Sequence, residues 1–209
     1  MLHTHALTTE ARKLFQRLSL FKEGFYLAGG TGLALLVGHR VSLDFDLFSD
    51  KPIKKTLLKS VESVFEQRVV SPLVNTKNEL TVMIGAVKFT FLHYPFPVLL
   101  PFGFLAQPIR ILSVKEIFAT KAYTIGRRGA YKDYVDLFVG LSDNLISLSE
   151  LIELAARKYG DGFSDRLFLE QLLYLDDVEV IEVSMLGRPL PDKKELAAFF
   201  SKKISELQL

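Results

Sequence analysis

Residues 26–50, YLAGGTGLALLVGHRVSLDFDLFSD, contain the pattern that decides the fold. A short apolar run ends in Gly29 and Gly30, and TGLALLVGH follows at once, which predicts a buried strand, a glycine turn and a helix. The stretch SLDFDLFS then alternates strictly, which predicts a strand. Its inward-facing residues are the apolar ones, Leu43, Phe45 and Leu47. Asp44 and Asp46 are therefore expected together on the outer face of that strand.

The two aspartates form a candidate metal site. Two residues apart on one strand, their carboxylates lie about 6–7 Å apart, and like charges at that distance repel unless a cation neutralises them. A hard divalent ion such as Mg²⁺ or Mn²⁺ does so, since it prefers oxygen ligands and leaves coordination positions for a substrate phosphate. The alternative is that Asp44 and Asp46 are only the solvated face of an edge strand.

The glycine turn is a candidate phosphate site. Gly29 and Gly30 have no Cβ, so the backbone can approach a phosphate closely, and the helix from Thr31 offers free N–H groups at its positive end. The Thr31 hydroxyl could add a further contact. Turn and Asp-x-Asp strand together indicate a site for a metal-bound triphosphate, with nucleotidyl or phosphoryl transfer as the reaction. A plain turn before a helix is the alternative.

The rest of the chain surrounds this segment with helices and strands. A helix capped by Thr8 or Thr9 precedes it, and a Gly85-Ala86 turn joins two of the strands that follow. Residues from Ser113 onward have helical spacing. The predicted ranges are a helix over 54–67, strands over 68–75, 79–84 and 86–93, a helix over 113–127, and later breaks near 142–147, 160–163 and 187–191.

This order of elements predicts an α/β (α+β) fold. A core with a mixed β-sheet flanked by helices is expected over residues 1–110, and a helical half over 111–209. We expect the helical half to pack on the core and to complete the active site.

Composition excludes several classes of protein. The 209 residues carry a net charge of only +2 and contain no cysteine, which excludes disulfides and gives no global argument for nucleic-acid binding. The longest apolar stretch, residues 94–109, contains four prolines and predicts a buried extended crossover rather than a membrane span. With no secretory signal at the amino terminus, we expect a cytoplasmic protein that has no contact with membranes.

Two blocks of sequence resemble a known family. GGTGLALLVGHRVSLDFDLFS resembles the first motif of the nucleotidyltransferase-fold superfamily, and its His39-Arg40 and Phe48-Ser49 pairs are similar to the AbiEii/AbiGii-type family. The best-known members of that family are toxins of bacterial abortive-infection and toxin–antitoxin pairs. KAYTIGRRGAYKDYVDLF, residues 121–138, resembles the later motif of the family.

The resemblance implies roles for individual residues. Gly29, Gly30 and Thr31 would contact the nucleotide phosphates, and Asp44 and Asp46 would hold Mg²⁺. The later motif would place Lys121 near the triphosphate. It also implies a second active-site cluster, which consists of Lys132, Asp133 and Asp136.

Helical spacing is compatible with these later roles. It places Lys121 at the boundary of a buried face and sets Asp133 and Asp136 on one side of a helix. The structural alternatives are that Asp133 caps a helix or pairs with Arg128, and that Asp136 holds Lys132.

One feature departs from the superfamily pattern. Nucleotidyltransferases of this fold commonly have a third carboxylate on a neighbouring strand, which here corresponds to residues 86–95. The outward residues of that strand, Lys88, Thr90 and Leu92, include no acid, and Thr90 occupies the expected position. Asp133 could replace the missing base, the acceptor hydroxyl could be activated less directly, or the chain could bind nucleotide without catalysis.

The implied function is metal-dependent transfer of NMP from an NTP to an acceptor. RNA, tRNA in particular, is the acceptor that the resemblance favours, with a protein hydroxyl or a small molecule as alternatives, and a cognate antitoxin is the implied partner. The second motif also mixes basic residues with tyrosines, a combination suited to RNA but equally to a solvated helix face. Its members are Lys121, Arg127, Arg128 and Lys132, with Tyr123, Tyr131 and Tyr134. A nucleotide-binding pseudoenzyme and an interaction protein are the alternative functions.

Overall fold

The computed structural model of the protein describes residues 1–65, 72–106, 108–125, 127 and 129–207. They divide into two compact units, Met1–Ser113 and Val114–Leu209. The first unit holds a mixed β-sheet flanked by helices, and the second is helical. The predicted α/β fold class is confirmed.

The first unit is built on one sheet with the strand order β1-β2-β5-β4-β3. The β2–β5 pair is parallel and the other neighbouring pairs are antiparallel, so the sheet is mixed as predicted. A tight turn at Gly85, where φ is +61°, joins β4 to β5 and confirms the predicted hairpin. The strands are β1 Tyr26–Ala28, β2 Phe45–Ser49, β3 Val74–Asn75, β4 Glu79–Ile84 and β5 Val87–His93.

One face of this sheet is the core of the first unit. Phe45, Phe89 and Phe91 on that face are fully buried, and burial of each such ring stabilises the fold by about 1.5–3 kcal/mol. The helices of the unit cover them. These are α1 Thr9–Phe15, followed by a 3₁₀ helix at Gln16–Phe21, α2 Gly29–Val37 and α3 Leu57–Val64. Thr8 caps α1 by accepting a hydrogen bond from the backbone N–H of Ala11, as the sequence predicts.

Local details around β2 differ from the prediction. Leu43 is 57% exposed rather than buried, because β2 begins only at Phe45. Asp44 therefore precedes the strand and only Asp46 lies within it. Helix α2 begins at Gly29, so the glycines form its first turn instead of a separate turn before it.

Three other predicted ranges also need comment. The predicted strand over 68–75 lies partly outside the described residues, and its described part contains β3. The segment 94–109 is not buried throughout, since Leu105 is 75% exposed. Helix α3 is shorter than the predicted 54–67.

The second unit consists of helices that pack closely. Gly140 of α5 lies against the Phe118 ring of α4, where a Cβ would come within 2.5 Å of the ring. The helices are α4 Val114–Ile125, α5 Tyr131–Ser142, α6 Leu148–Tyr159, α7 Asp165–Leu173 and α8 Lys193–Ser205. The breaks predicted near 142–147 and 160–163 are confirmed. The first predicted helix ends at Ile125 rather than 127, and the last break is wider than predicted, from 174 to 192.

Candidate active site

The Asp46 carboxylate lies against the first residue of helix α2. Ala28 pairs with Asp46 in the antiparallel register of β1 and β2, and the chain passes directly from Ala28 into the helix. Gly29 has a φ of +61°, and a Cβ there would overlap the Asp46 carboxylate, with the Cγ only 2.9 Å away. Only glycine fits this position, because it tolerates positive φ and leaves the space that the carboxylate fills.

The amino-terminal end of α2 has the features of an anion site. Its N-cap residue, Ala28, has no side chain that can accept a hydrogen bond from the first turn. The first N–H groups of any helix lack partners within the helix, and together they carry a partial positive charge. A phosphate is a suitable partner for them.

Arg40 adds a fixed positive charge beside this helix end. It is only 4% exposed, and a Cβ on Gly30 would lie 2.5 Å from one of its guanidinium nitrogens. Another guanidinium nitrogen donates to the carbonyl of Val41. Gly30 thus leaves room for a guanidinium group, a role that sequence reasoning did not assign to it.

Thr31 positions the segment that carries Asp44. Its hydroxyl lies 2.7 Å from the Ser42 hydroxyl and also donates to the Asp44 carbonyl oxygen, and the residue is 1% exposed. The buried hydroxyl is committed to these bonds. Any contact of Thr31 with a phosphate, as the sequence predicts, would therefore come from its backbone N–H.

The donor set around Asp44 and Asp46 fits a divalent cation. Lys88 on β5 places its ammonium 3.3 Å from an oxygen of Asp44, so a positive charge is accommodated there. Within the described residues, no group of three or more His, Cys, Asp and Glu side chains could hold a metal by itself. A bound Mg²⁺ or Mn²⁺ would thus take two carboxylates from the protein and its other oxygen ligands from substrate or water.

The strand β5 lies next to Asp46, as predicted. Thr90 pairs with Asp46 in the parallel register of β2 and β5, so Thr90 is the residue of β5 beside Asp46. Thr90 in turn faces Thr81 of β4, whose hydroxyl donates to Glu79 at 2.6 Å. Sequence reasoning missed Lys88 as the ion-pair partner of Asp44.

A second cluster of charges lies within the helical unit. Lys121 of α4 is 5% exposed and lies 2.7 Å from an oxygen of Asp133 and 2.6 Å from an oxygen of Asp136, both on α5. Asp133 and Asp136 share one side of their helix, as their spacing predicts. The prediction that Lys121 lies at the edge of the buried face is wrong, because two carboxylates bring its ammonium into the interior.

Asp133 also has an unusual second oxygen. Its Oδ1 accepts from Lys121, whereas its buried Oδ2 has no hydrogen-bond partner among the residues that the structure describes. A buried carboxylate oxygen without a donor is costly and marks a position where a proton or a ligand could be bound. Of the structural alternatives, the capping role is wrong, because the N-cap of α5 is Ala130, and Asp136 pairs with Lys121. The alternative that Asp133 pairs with Arg128 involves a residue outside the described ones.

The predicted base-stacking role of two tyrosines is wrong. Tyr131 and Tyr134 are 1% and 0% exposed, and they donate their hydroxyl protons to the carbonyls of Pro191 and Gln171. Burial, with a smaller contribution from the Asp133 charge, raises the pKa of Tyr134 to about 12. Tyr134 therefore stays protonated at neutral pH and cannot act as a general base.

Most of the remaining basic residues of the second motif have structural contacts or are only partly exposed. The Arg127 guanidinium lies 3.5 Å above the Tyr123 ring and donates to the carbonyls of Tyr123 and Gly162. It thereby joins the end of α4 to the turn after α6. Lys132 is half-buried on α5, and Arg128 lies outside the described residues.

Comparison with solved structures identifies the class of fold. The nucleotidyltransferase toxin MenT4 of Mycobacterium tuberculosis superposes with a TM-score of 0.61 at 19% identity, covering 95% of this chain and 85% of that one. JHP933 from Helicobacter pylori superposes with a TM-score of 0.55 at 16% identity, covering 96% and 95% of the two chains. At such low identities these likenesses show a nucleotidyltransferase fold and nothing further.

Sequence comparison identifies the family. The chain belongs to the AbiEii family, nucleotidyl transferase toxins of type IV toxin–antitoxin systems, whose pattern matches residues 12–207. It is therefore a nucleotidyltransferase of the toxin type. The uncharacterized protein aq_aa25 of Aquifex aeolicus is 33% identical over 189 residues, which is 87% of each chain. Among the described residues, no helix has the length and apolar character needed to cross a membrane.

Proposed function

We propose that this protein transfers a nucleoside monophosphate from an NTP to an RNA hydroxyl, with tRNA as the favoured acceptor, in a reaction that depends on Mg²⁺ or Mn²⁺. The observation that supports this most directly is the contact between the Asp46 carboxylate and Gly29 at the start of α2. It brings together a ligand for a hard cation and an anion-binding helix end, which are the two requirements of a metal-bound triphosphate.

The site residues of the first unit have separate roles in this proposal. The first N–H groups of α2 and the Arg40 guanidinium bind the phosphates, while Asp44 and Asp46 hold the divalent cation. The cation, when bound, neutralises negative charge on the transferred phosphoryl group. Lys88 pairs with Asp44 and supplies a positive charge beside it.

In the reaction, the acceptor hydroxyl oxygen forms a bond to the α-phosphorus. The bond from that phosphorus to the oxygen bridging to the β-phosphate breaks, and pyrophosphate leaves. The hydroxyl proton passes to a base, to which we assign Asp133, because its Oδ2 has no hydrogen-bond partner among the described residues. Lys121, which also pairs with Asp136, holds the Asp133 carboxylate in place.

Family membership supports the biological setting. The name of the family describes toxins of type IV toxin–antitoxin systems, and MenT4 is described as a nucleotidyltransferase toxin. We therefore propose that this chain is the toxin of such a pair and that a cognate antitoxin counteracts it.

A labelling experiment tests the reaction. The protein is incubated with each NTP, labelled in turn at the α- or the γ-phosphate, together with total RNA or purified tRNA and with Mg²⁺, Mn²⁺ or a chelator. We expect label from the α-position alone to enter RNA, only when the metal is present. Transfer of the γ-label would show phosphoryl transfer instead, and label in the protein would show a different acceptor.

Asp46→Asn is the matched inactive variant. It keeps size and one acceptor oxygen but removes a charge that offsets the cation, so we expect transfer to fall by at least about 10²-fold. Nucleotide binding by the wild type without any labelled product, under all of these conditions, would contradict the proposed transfer.

A further inference from the structure

A row of polar side chains crosses the outer face of the sheet from β2 to β4. The Cα registers pair Asp46 with Thr90 and Thr90 with Thr81, so the three side chains are neighbours on the same face. The Thr81 and Thr90 hydroxyl oxygens lie 3.4 Å apart, and the Thr81 hydroxyl lies 2.6 Å from Oε1 of Glu79. Thr81 is 5% exposed, so the row passes through a buried position.

The chemistry of these groups gives the row a direction. As a carboxylate, Glu79 can only accept, so the single proton of the Thr81 hydroxyl is directed to it at the shorter of the two distances. The Thr81 oxygen can then interact favourably with Thr90 only by accepting the Thr90 proton. The Thr90 oxygen then keeps lone pairs that can bind a cation.

We propose that Thr90 is a neutral oxygen ligand of the cation held by Asp44 and Asp46, and that Glu79, through Thr81, is a positioning residue that keeps the Thr90 lone pairs directed at it. This proposal rests on the proposed function, because it assigns a role to residues beside the proposed metal site. It also accounts for the absence of an acid on β5, since the position supplies an oxygen without a third negative charge.

A site with two carboxylates instead of three should bind a free divalent cation more weakly. With two carboxylates and one hydroxyl, the site holds a free divalent cation weakly, so the phosphates of the NTP must contribute much of the binding. We therefore expect Mn²⁺ to bind much more tightly with a nucleotide than without one.

Direct measurement of Mn²⁺ binding tests the role of Thr90. Mn²⁺ is titrated into the full chain, with and without an NTP analogue that has a non-hydrolysable α,β-bridge, and free Mn²⁺ is followed by electron paramagnetic resonance. We expect Thr90→Val, which keeps the shape of the side chain, to weaken binding by about 10-fold or more. Thr90→Ser should bind as the wild type does. Thr90→Asp should tighten binding without nucleotide by at least about 10-fold, because it adds a negative charge next to the cation.

The positioning role of Glu79 has its own readout. Glu79→Leu and Thr81→Val each interrupt the row, and each should weaken Mn²⁺ binding less than Thr90→Val does. The double variant should be no weaker than Thr81→Val alone, because both changes remove the same chain of hydrogen bonds. Glu79→Gln retains an acceptor oxygen for Thr81 and should restore most of the affinity. Additive effects of Glu79→Leu and Thr81→Val would overturn the positioning role.

Matched controls separate this inference from the proposed function. Thr124→Val makes the same chemical change on α4, where the hydroxyl donates to the Thr120 carbonyl, and should leave Mn²⁺ binding unchanged. One set of results would contradict the role of Thr90 and leave the metal site supported. In it, Asp46→Asn abolishes Mn²⁺ binding, Thr90→Val changes the Mn²⁺ affinity by less than about twofold, and Thr90→Asp does not raise that affinity. If the wild type binds no Mn²⁺ even with the analogue, both proposals fail.

Discussion

Removal of the Lys121 ammonium should destabilise the protein strongly. Lys121→Met keeps the length and apolar stem of the side chain but leaves Asp133 and Asp136 with no ammonium between them. Their side chains are only 5% and 0% exposed, so two carboxylates would remain in the interior without this cation.

The size of the effect follows from the charges in the cluster. Breaking a buried ion pair from one side costs about 3–5 kcal/mol, because the remaining charge is desolvated and uncompensated. That loss corresponds to a fall in Tm of about 6–20 °C for a chain of this size. Asp133→Asn should cost much less stability, since the ion pair between Lys121 and Asp136 remains and has no net charge. The substitution also removes the negative charge of a carboxylate whose Oδ2 has no partner among the described residues.

Lys115 supplies a matched control on the same helix. Its ammonium lies 2.5 Å from Glu150, but the two side chains are 43% and 44% exposed. Ion pairs in contact with water contribute about 0–1 kcal/mol. Lys115→Met should therefore change stability by less than about 1 kcal/mol, although the ion pair that it removes is as short.

Urea denaturation followed by circular dichroism measures these differences. The triple variant Lys121→Met/Asp133→Asn/Asp136→Asn should recover part of the lost stability, because no ionised member of the cluster then remains in the interior. If Lys121→Met is within about 1 kcal/mol of the wild type, or if Lys115→Met costs as much, burial does not control the energy of the cluster and the reasoning is refuted.

Two further variants test other parts of the structure. Gly29→Ala should weaken NTP binding by at least about 10-fold and lower stability by about 1–2 kcal/mol, because alanine disfavours positive φ and its Cβ would overlap the Asp46 carboxylate. Equilibrium binding of a fluorescent NTP and urea denaturation measure the two effects. In the wild type, the free energy of unfolding should fall as the pH rises from 10 towards 12. The reason is that the Tyr134 phenol has a pKa near 10 in the unfolded chain and about 12 in the folded protein, so it ionises first in the unfolded chain. Tyr134→Phe should show a smaller fall over the same pH range in denaturation experiments.

Controls for these variants are available in the same chain. Gly24→Ala introduces a Cβ with nothing within 4 Å and should change neither nucleotide affinity nor stability by a comparable amount. Normal NTP binding by a folded Gly29→Ala variant would show that the glycine has no role at the site. Identical pH dependence of the wild type and Tyr134→Phe would show that burial of this phenol does not limit stability at alkaline pH.

Local patterns in the sequence were sufficient for the framework. Alternation in β2 and β5 and the tight turn at Gly85 predict the strands and the hairpin, and helical spacing predicts that Asp133 and Asp136 share a face. Even the pairing of Thr81 with Thr90 could have been predicted, because a two-residue turn fixes the register of the hairpin that it closes. These features depend on neighbours in the sequence, so the sequence determines them by itself.

The neighbours of the functional residues were decided only by the tertiary structure. The parallel register that sets Thr90 beside Asp46, the contact of Gly30 with Arg40 and the ion pairs of Lys121 all join residues far apart in the chain. Tyr131 and Tyr134 alternate with basic residues, which is typical of a base-stacking surface, yet both are buried in the core. Their hydroxyl groups can be buried because they donate to backbone carbonyls there. A polar side chain can be a ligand, a counter-ion or a buried structural residue. Which of these it is depends on the distant groups that pair with its charge and its hydrogen-bonding atoms once water is excluded. A pattern in the sequence does not contain that information.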